Sequence, residues 1–149
     1  MKTIVLTTDT KHHTFFIKEL TKVHSIHSTV IETGTMVPEF MVKHSFEEKR
    51  EVYEQEYLLE NEKTSIEKYS NTIYFDDINS LECLNYIKKI TPDVILVYGT
   101  RIIKNALIQI CPQGIINLHG ANPEKYRGLD SHLWAIYHNV FNDFDVTLH

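Results

Sequence analysis

The sequence predicts an α/β fold, a three-layer sandwich with helices on both faces of a mainly parallel sheet. Three observations carry this. Short apolar runs rich in β-branched residues alternate along the chain with segments of helical periodicity. One run, Val94-Ile95-Leu96-Val97-Tyr98, is apolar without interruption, as a strand covered on both faces must be. The chain's 149 residues suit one domain that can bury a core without disulfide or metal staples.

Taken in order, residues 2–7 read as the first strand. Thr8-Asp9-Thr10 supplies turn and N-cap chemistry, and Phe16, Leu20 and Val23 then recur at helical spacing. Residues 26–32 form a second strand, after which Gly34 and Pro38 interrupt regular structure. Residues 45–63 are highly charged and read as a solvated surface helix, with Phe46, Tyr53 and Tyr57 as a packing stripe. Residues 72–75 are a short strand. Ser80 caps a helix whose Cys83, Leu84, Ile87 and Ile90 share a face, with Pro92 just past its end.

Gly99 closes the strand 94–98, and 102–110 read as a short helix before Pro112. Residues 114–119 are the next strand. A helix over 131–139, capped by Ser131, places Leu133, Ile136, Tyr137 and Val140 on one side, and 145–149 begin a last strand. There is no repeat, low-complexity tract or interdomain linker.

Composition narrows the function. With Lys+Arg 15 against Asp+Glu 20 the net charge is -5, and without a basic run the chain lacks what the nucleic-acid backbone demands. No apolar run approaches the ~20 residues of a membrane span. The opening MKTIVLTTDTKHH is unlike a secretory leader. Two cysteines, Cys83 and Cys111, with no CxxC, point to a reducing compartment; the expected location is the cytoplasm. His12-His13 and the pair His24 and His27 lack carboxylate or Cys companions at ligand spacing, and no HExxH occurs. No metal is expected; a site assembled from His119, His132 and His149 is the one metal reading left open.

The informative stretch is Ile115-Ile116-Asn117-Leu118-His119-Gly120. Side chains alternate along a strand, so Asn117 and His119 share a face at its carboxyl end, where open α/β sheets bind ligands. Polar residues there are either a hydrogen-bonded structural pair or a reaction site. In the chemical reading an amide NH2 holds an oxyanion while an imidazole adds charge or a proton.

The loop GANPEKYRG that follows, with PDVILVYG upstream and VTLH downstream, resembles the N-terminal catalytic domain of the 10-formyltetrahydrofolate-dependent formyltransferases. That family includes the glycinamide ribonucleotide, methionyl-tRNA and sugar N-formyltransferases. The resemblance covers roughly residues 91–149 and implies a Rossmann-like fold, with 1–149 as a catalytic domain incomplete at its C-terminal end. It implies N10-formyltetrahydrofolate as cosubstrate, no metal, and Asn117 and His119 as the catalytic pair. Arg101 and Ile103 would face the pterin through their backbones, with Ile108 as apolar wall. Tyr126, Arg127 and Gly128 would border the acceptor, where Arg127 meets an anion or pins the loop. His149 matches a histidine on the strand leading to the family's catalytic aspartate, which falls beyond this sequence; Asp130, Asp143 and Asp145 do not match it.

The turn after the first strand lacks the glycine-rich phosphate cradle of the glycinamide ribonucleotide enzymes. A small amine, an amino sugar linked to a nucleotide in particular, is therefore the expected partner. Glycinamide ribonucleotide and methionyl-tRNA are the alternative acceptors; homodimerisation is left open, and no membrane or nucleic-acid partner is expected. Two other readings stand beside this one: a non-catalytic remnant that binds folate or acceptor, and an unrelated doubly wound nucleotide binder. The latter lacks both GxGxxG after the first strand and a P-loop.

Overall fold

A computed structural model describes residues 1–34, 46–112, 114–128 and 130–149. The predicted interruption at Pro38 and the start of the charged segment at Ser45 lie outside these residues. The strands β1 (Thr3–Thr7), β2 (Ser28–Glu32), β3 (Thr72–Phe75), β4 (Val94–Tyr98), β5 (Ile115–Gly120) and β6 (Val146–Leu148) form one sheet in the order β3-β2-β1-β4-β5-β6. All neighbours are parallel except β5 and β6, which pair antiparallel. This is the predicted α/β sandwich with a mainly parallel sheet.

Alternation along the central strands divides the core in two. Ile4, Leu6, Val30, Ile95 and Val97 pack with Cys83, Leu84 and Ile87 of α3 (Leu81–Ile90) and with Leu107 of α4 (Asn105–Ile108). Val5 and Ile31 face the other way and meet Ile17 of α1 (Lys11–Val23) and Ile66. Thr10 and Ser80 are the N-caps of α1 and α3, their hydroxyls accepting from His13 N–H and Cys83 N–H.

Five expectations need correction. The core face of α1 centres on Ile17, and Val23 at its end is 84% exposed. The charged segment is not one helix: α2 (Glu47–Tyr53) passes into a π-helical turn at Glu54–Leu58. The wider turn re-phases the helix, so Glu54 and Leu59 are buried while Tyr53 and Tyr57 stack on each other in solvent. The predicted helix 102–110 shrinks to α4, because Asn79 holds the preceding loop through Ile102 C=O and Lys104 N–H. In α5 (Ser131–Tyr137) the buried side chains are Ser131 and Ala135, not the predicted apolar row, and Tyr137 is 74% exposed. Ser131 is no cap either: Asp130, at φ 54, takes that position, and Ser131 Oγ donates to Gly128 C=O.

Candidate active site

The carboxyl ends of β2, β1, β4 and β5 line one edge of the sheet, and Asn117, His119 and Arg101 are placed along it. Asn117 sits beside Val97 in the β4–β5 register, so it leaves the sheet level with the end of β4, and His119 follows two residues further along the same face. Both are half-buried. His119 Nε2 lies 3.0 Å from Tyr126 C=O; since a carbonyl only accepts, that nitrogen carries a proton and donates. Nδ1 keeps the lone pair in the neutral ring. Asn117 Nδ2 lies 2.9 Å from Nε2 of His149, and the rings of His119 and His149 meet edge-on with centroids 6.1 Å apart. Thus β5, β6 and the loop after β5 bring Asn117, His119, Tyr126 and His149 together.

Arg127 and Gly128 behave differently. The Arg127 guanidinium turns back and donates to Pro123 C=O at 2.9 Å, which leaves the loop pinned by it. Gly128 has φ +93 and open space where a Cβ would stand; its carbonyl receives Ser131. The phenol of Tyr126 points away from His119 to His138 Nδ1 at 3.2 Å.

On the other flank of the edge, Arg101 is built into the protein. Its Nε donates to Glu32 Oε1 at 2.9 Å, its backbone N–H to Glu32 Oε2 at 2.7 Å, and its terminal nitrogen to Asp76 C=O. Glu32 also accepts from Ile78 N–H at 3.3 Å. One buried carboxylate thereby ties together the loops after β2, β3 and β4. Gly34 lies so close that a Cβ would strike both Asp76 C=O and the Arg101 guanidinium. Among the described residues, no hydrogen bond is made by the backbone N–H or C=O of Ile103, while Ile108 is 40% exposed at the end of α4.

Glu32 could have been found in the sequence by the rule that exposed Asn117 and His119: a polar residue ending an otherwise apolar strand. His13 could not. Its ring is almost wholly buried, with Nδ1 2.9 Å from the hydroxyls of both Thr8 and Thr10. It meets Tyr98 edge-on at a centroid distance of 4.4 Å. Burial, helped by the neighbouring His12, pushes its pKa down to about 3. His12 is paired with Glu54 at 3.0 Å, and burial together with the Glu54 carboxylate pushes the Tyr98 phenol up. No group of His, Cys, Asp and Glu fit to hold a metal ion occurs among the described residues, and no helix there is long and apolar enough to cross a membrane.

Residues 1–140 match the sequence model of a family described as formyl transferase. Over 88 residues the chain is 33% identical to the bifunctional polymyxin resistance protein ArnA of Wigglesworthia glossinidia brevipalpis, a match covering 58% of this chain and 13% of that protein. Among solved structures it is similar to a glycinamide ribonucleotide transformylase of Geobacillus kaustophilus, at TM-score 0.59 and 16% identity, covering all of this chain and 73% of that one. A phosphoribosylglycinamide formyltransferase of Coxiella burnetii gives TM-score 0.60 at 16% identity, with 100% and 64% covered. The chain thus spans a small part of its curated relative, and 60% of another glycinamide ribonucleotide transformylase, from Symbiobacterium toebii. At these identities the solved structures speak for the fold.

Proposed function

The chain belongs to the formyl transferase family, and from that premise we propose that it moves a formyl group from N10-formyltetrahydrofolate to the primary amine of a small acceptor, an amino sugar linked to a nucleotide. Membership removes the unrelated nucleotide binder from consideration. The observation that carries the reading is the placement of Asn117 and His119 on one face at the carboxyl edge of the sheet, beside the end of β4.

The folate supplies an activated formyl carbon. When the acceptor's amine attacks that carbon, the carbonyl electron pair moves onto oxygen. The Asn117 amide and a protonated His119 are the donors suited to hold that charge. Collapse restores the C=O, breaks the bond to N10, and leaves N10 with the proton that the amine gives up. His119 donates to Tyr126 through Nε2, so its Nδ1 is the nitrogen left to carry such a proton. The backbone N–H and C=O of Ile103, unbonded among the described residues, suit the hydrogen-bonding edge of a pterin, and Ile108 suits its apolar ring. Arg101 serves this arrangement by holding the loop, since Glu32 already takes its backbone N–H.

The choice of acceptor is supported by the turn after β1. Thr8 and Thr10 turn their hydroxyls to His13, and that ring is held neutral, so the turn after β1 offers neither hydroxyl nor charge to a ribonucleotide's phosphate; the phosphates of a sugar nucleotide would be met elsewhere. The test is release of tetrahydrofolate by the purified protein, measured in parallel with an amino sugar nucleotide and with glycinamide ribonucleotide. Preference for the amino sugar is expected. Clear preference for the ribonucleotide would defeat the acceptor argument. Folate binding without transfer to any amine would leave a binding module instead of an enzyme.

A further inference from the structure

The antiparallel pairing of β5 with β6 sets His149 opposite Asn117. Two backbone hydrogen bonds close the pair, Asn117 N–H to His149 C=O at 2.7 Å and His149 N–H to Asn117 C=O at 3.1 Å. Residues opposite one another in such a pair project to the same face, so the two side chains leave the sheet together. The Asn117 amide nitrogen then meets His149 Nε2 at 2.9 Å. With the NH2 end on that side the amide donates, which pairs with a lone pair on Nε2 and a ring proton on Nδ1; the opposite pairing would be the amide C=O against a protonated Nε2.

This contact decides something chemical. The two ends of an Asn amide are nearly alike in shape, and only their partners determine which end lies where. Beside His119, an NH2 end stabilises an oxyanion and a C=O end repels it. We propose that His149 is a positioning residue for Asn117: as the Nδ1–H tautomer it accepts one amide hydrogen and fixes the NH2 end on the face shared with His119. The second amide hydrogen, which no group among the described residues takes, remains for a ligand oxygen. The catalytic consequence rests on the formyl-transfer reading above; the tautomer does not.

The experiment is therefore a long-range ¹H–¹⁵N correlation on the 149-residue chain labelled at histidine, supported by formyl-transfer kinetics. In the wild type His149 is expected to show a protonated Nδ1 and a bare Nε2. Asn117→Asp should reverse this, because a carboxylate facing Nε2 needs a proton from it. The Asn117 side-chain NH2 signals should lose their protection from solvent exchange in His149→Ala and regain it in His149→Gln, whose Oε1 can accept in place of Nε2. In turnover, His149→Ala should lower kcat about 10- to 100-fold with KM for both substrates unchanged, and His149→Gln should recover most of it. A bare Nδ1 and protonated Nε2 in the wild type would overturn the proposal, as would an equal loss in the Ala and Gln variants. Absence of transfer by the wild type would count against the formyl-transfer reading alone, with the tautomer still deciding whether His149 orients Asn117.

Discussion

The ring of His13 occupies the space that a side chain on Gly99 would need. A Cβ built at Gly99 runs into Nε2 and Cε1 of His13, and Gly99 has φ +76, which L residues other than glycine adopt only with strain. These residues come from α1 and from the end of β4, and β1 and β4 are the neighbours between which the strand order of the sheet reverses direction. In doubly wound sheets that reversal opens the crevice where ligands bind. Here the buried ring of His13 packs edge-on against Tyr98 at the end of β4. The polar face left available lies one strand over, on β5, where Asn117 and His119 project.

Gly99→Ala should therefore destabilise the fold by about 2–4 kcal/mol, combining backbone strain with overpacking. His13→Ala removes the clash and leaves the strain. The double variant should therefore lose clearly less than the sum of the two single changes, a coupling that denaturant titration of all four proteins would measure. Strict additivity would show that the two sites do not touch.

His13 also makes a prediction about acid. Its pKa is lowered from 6.5 to about 3 in the folded chain, so between those values the unfolded chain binds a proton that the native one refuses. Stability from this group is fully present above pH 6.5 and falls as pH drops towards 3, by about 1.4 kcal/mol per pH unit. His13→Gln should flatten that part of the stability profile. Parallel profiles for the variant and the wild type between pH 4 and 6.5 would contradict the buried, neutral ring.

How far the sequence could be read depended on whether a feature was local. Apolar runs and helical patterns placed each strand among the described residues and the buried face of α3, because Cys83, Leu84 and Ile87 meet the sheet directly. They failed where tertiary contacts set the outcome. Tyr53 and Tyr57 have core-like spacing, yet the π-helical turn hands the burial to Glu54 and Leu59. Asn117 and His119 were legible because both lie on one strand. The pairing of Asn117 with His149 joins residues 32 apart across a long connection that contains α5, and no spacing rule encodes it.

Glu32 carries the second structural prediction. Its side chain is buried, whereas Arg101 is about a third exposed and can rehydrate. Glu32→Gln should cost about 3 kcal/mol or somewhat less, and it should free the loop 99–104. Amide hydrogen exchange would report this as faster exchange at Arg101 and Lys104, whose N–H groups bond to Glu32 and Asn79. Unchanged exchange there would mean that Glu32 does not hold the loop.

Both cysteines should be silent in the native protein. Burial pushes the Cys83 thiol up to about 12 and raises Cys111 as well, so neither forms appreciable thiolate near pH 8. A thiol-reactive chromophore should titrate two groups only after denaturant is added. Rapid reaction of either in the folded chain would place it outside the core.

The proposed catalytic roles of Asn117 and His119 can be separated by choosing replacements that keep one property and remove another. His119→Gln keeps a nitrogen able to donate to Tyr126 C=O but cannot be protonated, whereas His119→Ala removes both. If His119 acts through its proton or charge, both changes should lower kcat by ~10² to 10⁴ and to similar extents. If the ring only orders the loop, Gln should restore most of the rate. Asn117→Ala, which deletes an oxyanion donor, should cost ~10² to 10³ in kcat with little change in folate affinity. In the formyl-transfer reading the two groups stabilise the same developing charge, so the double variant should fall well short of the product of the single losses. Retention of more than about a tenth of wild-type turnover by either alanine variant would sink the assignment, since a single preorganised donor in such a site is worth more than that.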